Sequence, residues 1–143
     1  MSKTTDKTPT RPLPRLDELD TQAFWQATKD RKLNYQQCRS CETIIWYPRA
    51  HCTGCVNSDL EIKTASGAGT VYTFSIVRQS YHPFFRTQAP YAVAWIDLAE
   101  GPRLLSNVVG LEDPSTQLQV GAAVKLVWEE HESLCVPLFE LAG

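Results

Sequence analysis

Hydrophobic and polar positions along the chain predict a helix, a cysteine-bearing hairpin and then a series of strands. Residues 70–77 (TVYTFSIV), 91–98 (YAVAWIDL) and 103–109 (RLLSNVV) are dense in β-branched, aromatic and aliphatic side chains, and Pro90 and Glu100-Gly101-Pro102 punctuate them. Residues 123–130 and 136–141 predict two more strands, and Leu60–Thr64 a short one ahead of the glycine-rich turn or bulge SGAG at 66–69. Residues 78–90, containing HPFF, read as a longer loop, and 111–121 as a turn or one helical turn. Nearer the start, Asp20 suits a helix N-cap, and Phe24, Ala27 and Thr28 recur at helical spacing with Trp25 beside them. This predicts a helix over about residues 21–32. Short β segments at 35–37 and 43–47 then flank the first of two cysteine pairs.

Five strands after residue 65, with a hairpin between the second and third and a break before the fourth, match a five-stranded Greek-key barrel of OB type. The expected fold is therefore mainly β, although other small all-β folds share the pattern. Three parts follow. Residues 1–19 are rich in Thr, Lys, Pro and Arg, with Pro9, Pro12 and Pro14 close together, and are expected to form a flexible tail. Residues 20–62 hold the helix and cysteine module, and 63–143 the barrel.

A composition of 43% hydrophobic and 21% charged residues over 143 positions supports a real apolar core. No run approaches the roughly 18 apolar residues of a membrane span. The opening MSKTTDKTPTRPLPRLDELD lacks the apolar region of a secretory signal, so the expected setting is cytoplasmic, with no membrane.

Four of the five cysteines alter the picture most. Cys38, Cys41, Cys52 and Cys55 follow the spacing C-x2-C-x10-C-x2-C. Two residues between paired cysteines let both sulfurs reach one ion, and four thiolates satisfy a tetrahedral zinc at about 2.3 Å. Gly54 eases the second turn, and the intervening ETIIWYPRAH suits a hairpin. With all four positions filled, one structural Zn²⁺ is expected and no open catalytic site. Four thiolates also hold iron. A redox dithiol is disfavoured, because it expects a βαβ setting and usually a single pair. His51 reads as a surface residue and Cys135 as a buried free thiol.

No catalytic set emerges elsewhere. His82 and His131 lack recognisable partners, and SGAGT leads into a strand rather than the helix and lysine that a phosphate-binding loop needs. An OB barrel beside a zinc ribbon raises a second function, binding of single-stranded nucleic acid through stacked aromatics in a basic groove. Charge argues against it. Residues 66–143 carry four basic and eight acidic residues, a net of −4, and residues 1–65 carry ten basic and eight acidic, a net of +2. Phosphate tracking needs a surplus of Lys and Arg.

The order of these pieces resembles a family. A helix, then C-x2-C…PR-x-x-C-x-x-C, SG-x-G-x-VYTFSIV and PY-x-x-A-x-I-x-L-x-EG-x-R resemble the acyl-CoA-associated OB-fold proteins that carry a rubredoxin-like zinc ribbon. The residues that carry the likeness are Cys38, Cys41, Pro48, Arg49, Cys52, Cys55, Ser66, Gly67, Gly69, Pro90, Tyr91, Glu100, Gly101 and Arg103, within about residues 20–141. Thr53 stands where the family often has proline. The resemblance implies a non-catalytic accessory subunit of a thiolase-fold enzyme, such as a thiolase, an acyltransferase or a steroid side-chain aldolase. It implies a hetero-oligomer, with acyl-CoA lying partly against this chain. Trp25, Trp46, Tyr81, Phe84, Phe85 and Arg86 are candidates for the partner interface, which favours aromatics and Arg. Arg49, Arg78 and Arg103 are candidates to pair with CoA phosphates.

Overall fold

A computed structural model describes residues 8–143. Helix α1 spans Gln22–Thr28, and the ribbon follows as β1 (Asn34–Cys38), β2 (Ile44–Ile45) and β3 (Leu60–Thr64). β4 (Ala68–Val77), helix α2 (Pro83–Gln88), β5 (Tyr91–Leu98), β6 (Arg103–Val109), helix α3 (Pro114–Gln117), β7 (Ala123–Glu130) and β8 (Cys135–Leu141) complete the chain.

The ribbon is a three-stranded antiparallel sheet in the order β2-β1-β3. The remaining strands close a barrel in the order β4-β5-β6-β8-β7, with β4 pairing back to β7. Only β6 and β8 run parallel; every other barrel pairing is antiparallel. This is the five-stranded OB barrel that the strand pattern predicts. β5 shows why the pattern is readable: Ala92, Ala94, Ile96 and Leu98 are buried while Tyr91, Val93, Trp95 and Asp97 are partly exposed. Successive side chains on a strand point to opposite faces, and only one face meets the core. Phe139, Ile96, Val71 and Val124 lie at the barrel centre, and Leu33 and Tyr35 of the ribbon end join the same cluster.

Glycine makes one close approach feasible. Gly69 pairs with Leu98, and a β-carbon there would lie 2.8 Å from the Asp97 carbonyl oxygen. That is too short for any real contact, so this corner of the barrel admits no side chain.

Several local expectations differ from the structure. The helix cap is Thr21 rather than Asp20, and the helix ends at Thr28, with turns carrying the chain to Arg31 at φ 56°. β2 is only two residues long, because Tyr47 adopts φ 63° and takes the chain out of the sheet after Ile45. The expected loop at 78–90 contains α2, capped by His82, whose Nδ1 accepts from the Phe84 backbone N–H at 3.1 Å. Pro83 supplies the first helical residue, where its missing N–H costs nothing. In 111–121 the helical turn forms, capped by Asp113.

Residues 1–7 of the expected flexible tail lie outside the described residues. Within the remainder, Arg11 is anchored. Its guanidinium meets the Glu129 carboxylate at 2.5 and 3.1 Å and lies over the Phe84 and Phe85 rings, 4.9 and 5.6 Å from their centroids.

Candidate metal centre and its surroundings

Two similar turns build the cysteine site. In the first, the Glu42 N–H donates to the Cys38 carbonyl at 2.9 Å and the Cys38 N–H donates to the Thr43 carbonyl at 3.0 Å. In the second, Val56 and Cys52 make the same bonds at 3.1 and 2.8 Å, the latter to the Asn57 carbonyl. Glu42 and Val56 each follow a cysteine and take φ of 65° and 66°. Non-glycine residues rarely adopt that conformation, and a β-branched one least of all. Each turn thus accepts backbone strain to point two sulfurs at one place.

The four sulfurs lie within 4.8 Å of one another. Cys38 Sγ and Cys55 Sγ are 3.6 Å apart, and Cys41 Sγ and Cys52 Sγ 3.5 Å. A tetrahedron with metal–sulfur bonds of about 2.3 Å has edges of about 3.8 Å, so these separations suit a single zinc ion. The Gly54 N–H donates to Cys52 Sγ at 3.2 Å, and Thr43 Oγ1 sits 3.0 Å from Cys41 Sγ. Cys38 and Cys52 are buried with Ile45 in a small cluster of their own, while Cys41 and Cys55 reach solvent.

The thiols titrate unequally. Cys41 is held down to about 6, chiefly by the Thr43 hydroxyl and then by the Thr43 N–H and the Cys52 thiol. Cys52 is also lowered, by the Cys55 backbone N–H first. The Asn57 N–H draws the Cys55 thiol down, but the Cys38 and Cys41 sulfurs and burial outweigh it and push Cys55 up to about 12. Four sulfurs this close accept one negative charge readily and resist the last, a conflict that a dication removes. These residues fit one structural zinc. When bound, zinc cross-links the two turns and offers no open coordination position.

The histidines make no catalytic pair among the described residues. His51 is exposed. His82 caps α2, and His131 Nε2 contacts Glu129 Oε1 at 2.7 Å. Cys135 is a buried free thiol at the start of β8, where its backbone N–H donates to Thr28 Oγ1 at 3.1 Å.

The other candidate residues disperse. Trp46 packs edge-on against Phe24 at 5.6 Å and joins the main core cluster, and Trp25 stacks edge-on against the same Phe24 at 4.9 Å. Phe84 and Phe85 contact one another at 5.1 Å beneath Arg11. Tyr81 is 85% exposed. Arg103 binds Asp97 at 2.5 and 3.2 Å and covers the Tyr72 ring at 3.5 Å, so its guanidinium is committed to its own barrel. Arg49 is exposed beside the ribbon, its backbone N–H and carbonyl both bonded to the Gln36 side chain. Arg78 and Arg86, assigned to different roles from sequence, line one concavity with Tyr81. Thr43 and Arg11 were missed, since neither belongs to a spacing pattern that would single it out.

Two family descriptions match this chain: "ChsH2, rubredoxin-like zinc ribbon domain" over residues 25–61 and "ChsH2, C-terminal OB-fold domain" over residues 63–129. The chain belongs to the ChsH2 (DUF35) family. A Methanocaldococcus jannaschii protein described as a DUF35 domain-containing scaffold protein is 34% identical over 112 residues, covering 76% of this chain and 79% of that protein. A Thermomonospora curvata protein described as a probable enoyl-CoA hydratase alpha subunit is 35% identical over 134 residues, or 92% of this chain. The chain spans only 40% of the length of that relative. Among solved structures, a chain of an "Ltp2-ChsH2(DUF35) aldolase" superposes with a TM-score of 0.80 at 34% identity, covering 93% of this chain and 100% of that one. No helix among the described residues is long and apolar enough to cross a membrane.

Proposed function

We propose that this protein is a non-catalytic scaffold subunit that assembles with a thiolase-superfamily enzyme acting on an acyl-CoA thioester. One observation carries the reading: the chain covers the whole of its counterpart in a structure described as an Ltp2-ChsH2(DUF35) aldolase. The site chemistry supports it. The cysteine centre fits a closed structural ion, His82 caps α2, and His131 pairs with Glu129, which Arg11 also engages, with no nucleophile bonded to either ring among the described residues. The enzyme's own groups then perform the C–C bond chemistry. Retro-aldol cleavage of a β-hydroxyacyl-CoA and thiolytic cleavage of a β-oxoacyl-CoA are the leading reactions, and acyl transfer follows. The complex works in the cytoplasm.

An apolar groove between α1 and the ribbon, lined by Phe24, Trp46, Tyr47 and Ile62, supplies surface for this enzyme. The hydratase named for the Thermomonospora curvata relative belongs to a protein of which this chain matches 40%. It defines a competing partner. The test is affinity purification of the tagged chain from its own cells, with mass spectrometry of proteins recovered in near-equal amount. A thiolase-fold enzyme is expected. Recovery of a hydratase alone, or of single-stranded nucleic acid with no enzyme, overturns the proposal.

A further inference from the structure

One side chain holds the N-terminal segment to the barrel. Within residues 8–16, Arg11 makes the only hydrogen bonds that reach another element among the described residues. The segment forms neither helix nor strand, and the Arg11 side chain is 12% exposed.

The fold builds what receives Arg11 without help from Arg11. Sheet pairing places Glu129 opposite Val136 near the end of the β7–β8 hairpin, where Glu130, His131 and Glu132 follow it. Both Glu129 oxygens meet the guanidinium fork, and His131 Nε2 lies 2.7 Å from one of them. Glu130 pairs with Arg31, and exposed Glu132 has no ion-pair partner among the described residues, so this end of the barrel is acidic. α2 adds two rings. Phe84 and Phe85 stand edge to face at 5.1 Å, and Phe85 is braced by His82 at 5.3 Å and Tyr91 at 5.7 Å. A carboxylate matches the N–H fork of a guanidinium, and aromatic faces match its flat surface.

We infer that Glu129, Phe84 and Phe85 form an arginine-recognition site, which Arg11 fills as an internal placeholder and which an arginine on an extended segment of a partner protein takes over. Charge selects the partner, because the acidic hairpin end attracts a cationic segment and repels an acidic one. The occupant's form is set by the one seen there: Arg11 sits in an extended stretch, followed directly by Pro12. The site also opens onto a cleft of about 160 Å³ in which Tyr91, Asn107, Leu111 and Pro114 join Arg11 and Phe85. A partner segment that fills this cleft gains contacts that the placeholder lacks. That the partner is an enzyme subunit rests on the function proposed above. The recognition site and its exchange do not.

The experiment adds a synthetic peptide of residues 8–16 to the full zinc-loaded chain, followed by ¹H–¹⁵N shifts. Arg11→Ala in the chain empties the site, and saturable binding of the peptide is expected, with shifts centred on residues 84–85 and 129–131. The unaltered chain is expected to bind about tenfold more weakly, as a site filled internally about nine-tenths of the time implies. At saturation its own Arg11 Nε–H resonance is expected to move to that of a free arginine. Glu129→Gln added to Arg11→Ala is expected to weaken binding about tenfold, and so is Arg11→Ala in the peptide, which keeps Arg15. Arg11→Lys in the peptide keeps the charge but loses the fork, and is expected to bind more weakly. A dispersed spectrum is the folding control for each variant of the chain. No saturable binding to folded Arg11→Ala, shifts elsewhere on the chain, or affinity unchanged by either Glu129→Gln or the peptide's Arg11→Ala overturns the site. A lysine peptide that binds as tightly overturns the selection of arginine. Equal affinity for the unaltered and Arg11→Ala chains, or an Arg11 resonance unmoved at saturation, overturns the placeholder. Because the chain is titrated without an enzyme, these results stand whichever partner is recovered.

Discussion

At the scale of single residues, two side chains do work that no motif announces. Thr28 is wholly buried; its hydroxyl donates to the Trp25 carbonyl at 2.6 Å and accepts from the Cys135 N–H at 3.1 Å. One oxygen thus ties α1 to the first residue of β8. Thr28→Val keeps the shape but leaves a buried N–H unpaired, which costs about 1–3 kcal/mol. The expected result is an unfolding free energy lowered by that amount, read as a lower midpoint of chemical denaturation at an unchanged denaturant slope. Val56 illustrates the opposite economy. Its φ of 66° is unfavourable for a branched side chain, yet this conformation lets the second turn present Cys52 and Cys55 together. The spacing of the cysteines was legible in the sequence because the ligand set is encoded within a few residues. The strained residues behind them were not, because nothing in Glu42 or Val56 favours positive φ.

At the scale of elements, the N-terminal segment behaves as a strap. Arg11 reaches across to Glu129 on β7 and covers two aromatic rings of α2. Burial pushes the Glu129 carboxyl up, but contacts from Arg11 and His131 outweigh it and hold it below the ordinary range. A carboxyl with a lowered folded pKa adds stability that is fully present above its unfolded value, about 4.3. That stability is lost as the pH falls through the lowered folded value. The Arg11 Nε–H resonance is therefore expected to be shifted from that of a free arginine at pH 6 and to return to it below about pH 4. Glu129→Gln is expected to remove this shift at both pH values; a shift retained in that variant would show that other contacts hold the strap. Proline-rich composition suggested a flexible tail, and it could not reveal that one arginine has a partner 118 residues away.

At the scale of the whole molecule, two unequal cores share one chain. Cys38, Ile45 and Cys52 form the small one, and the barrel interior around Phe139 and Ile96 the large one, which Leu33 and Tyr35 also join. A core of three residues supplies little burial, so the ribbon's far end depends on its metal. Structural zinc contributes about 10–16 kcal/mol in isolated zinc-finger peptides. One zinc per chain is expected by elemental analysis. Cys38→Ser/Cys41→Ser is expected to abolish it and to expose the amides of β1–β3 to exchange, while β5 and β6 retain protection. Simultaneous loss of protection in the barrel would show that the two cores unfold as one.

By itself the sequence determined the metal ligands, the identity and order of the barrel strands, and the family resemblance. Each is written in short-range chemistry: a two-residue gap between thiols, or alternation that places one strand face in the core. Residues 91–98 and 103–109 were readable to their ends for that reason. α2 was not, since six residues complete too few turns to display a helical period. Tertiary structure alone decided which arginines were already neutralised. Arg103 meets Asp97 across the β5–β6 hairpin and stacks on Tyr72 of β4, whereas the fold-back at α2 leaves Arg78 and Arg86 facing one space. In sequence the three are equivalent basic residues. Their availability depends on which groups barrel closure brings within a few ångströms, and local composition does not encode that.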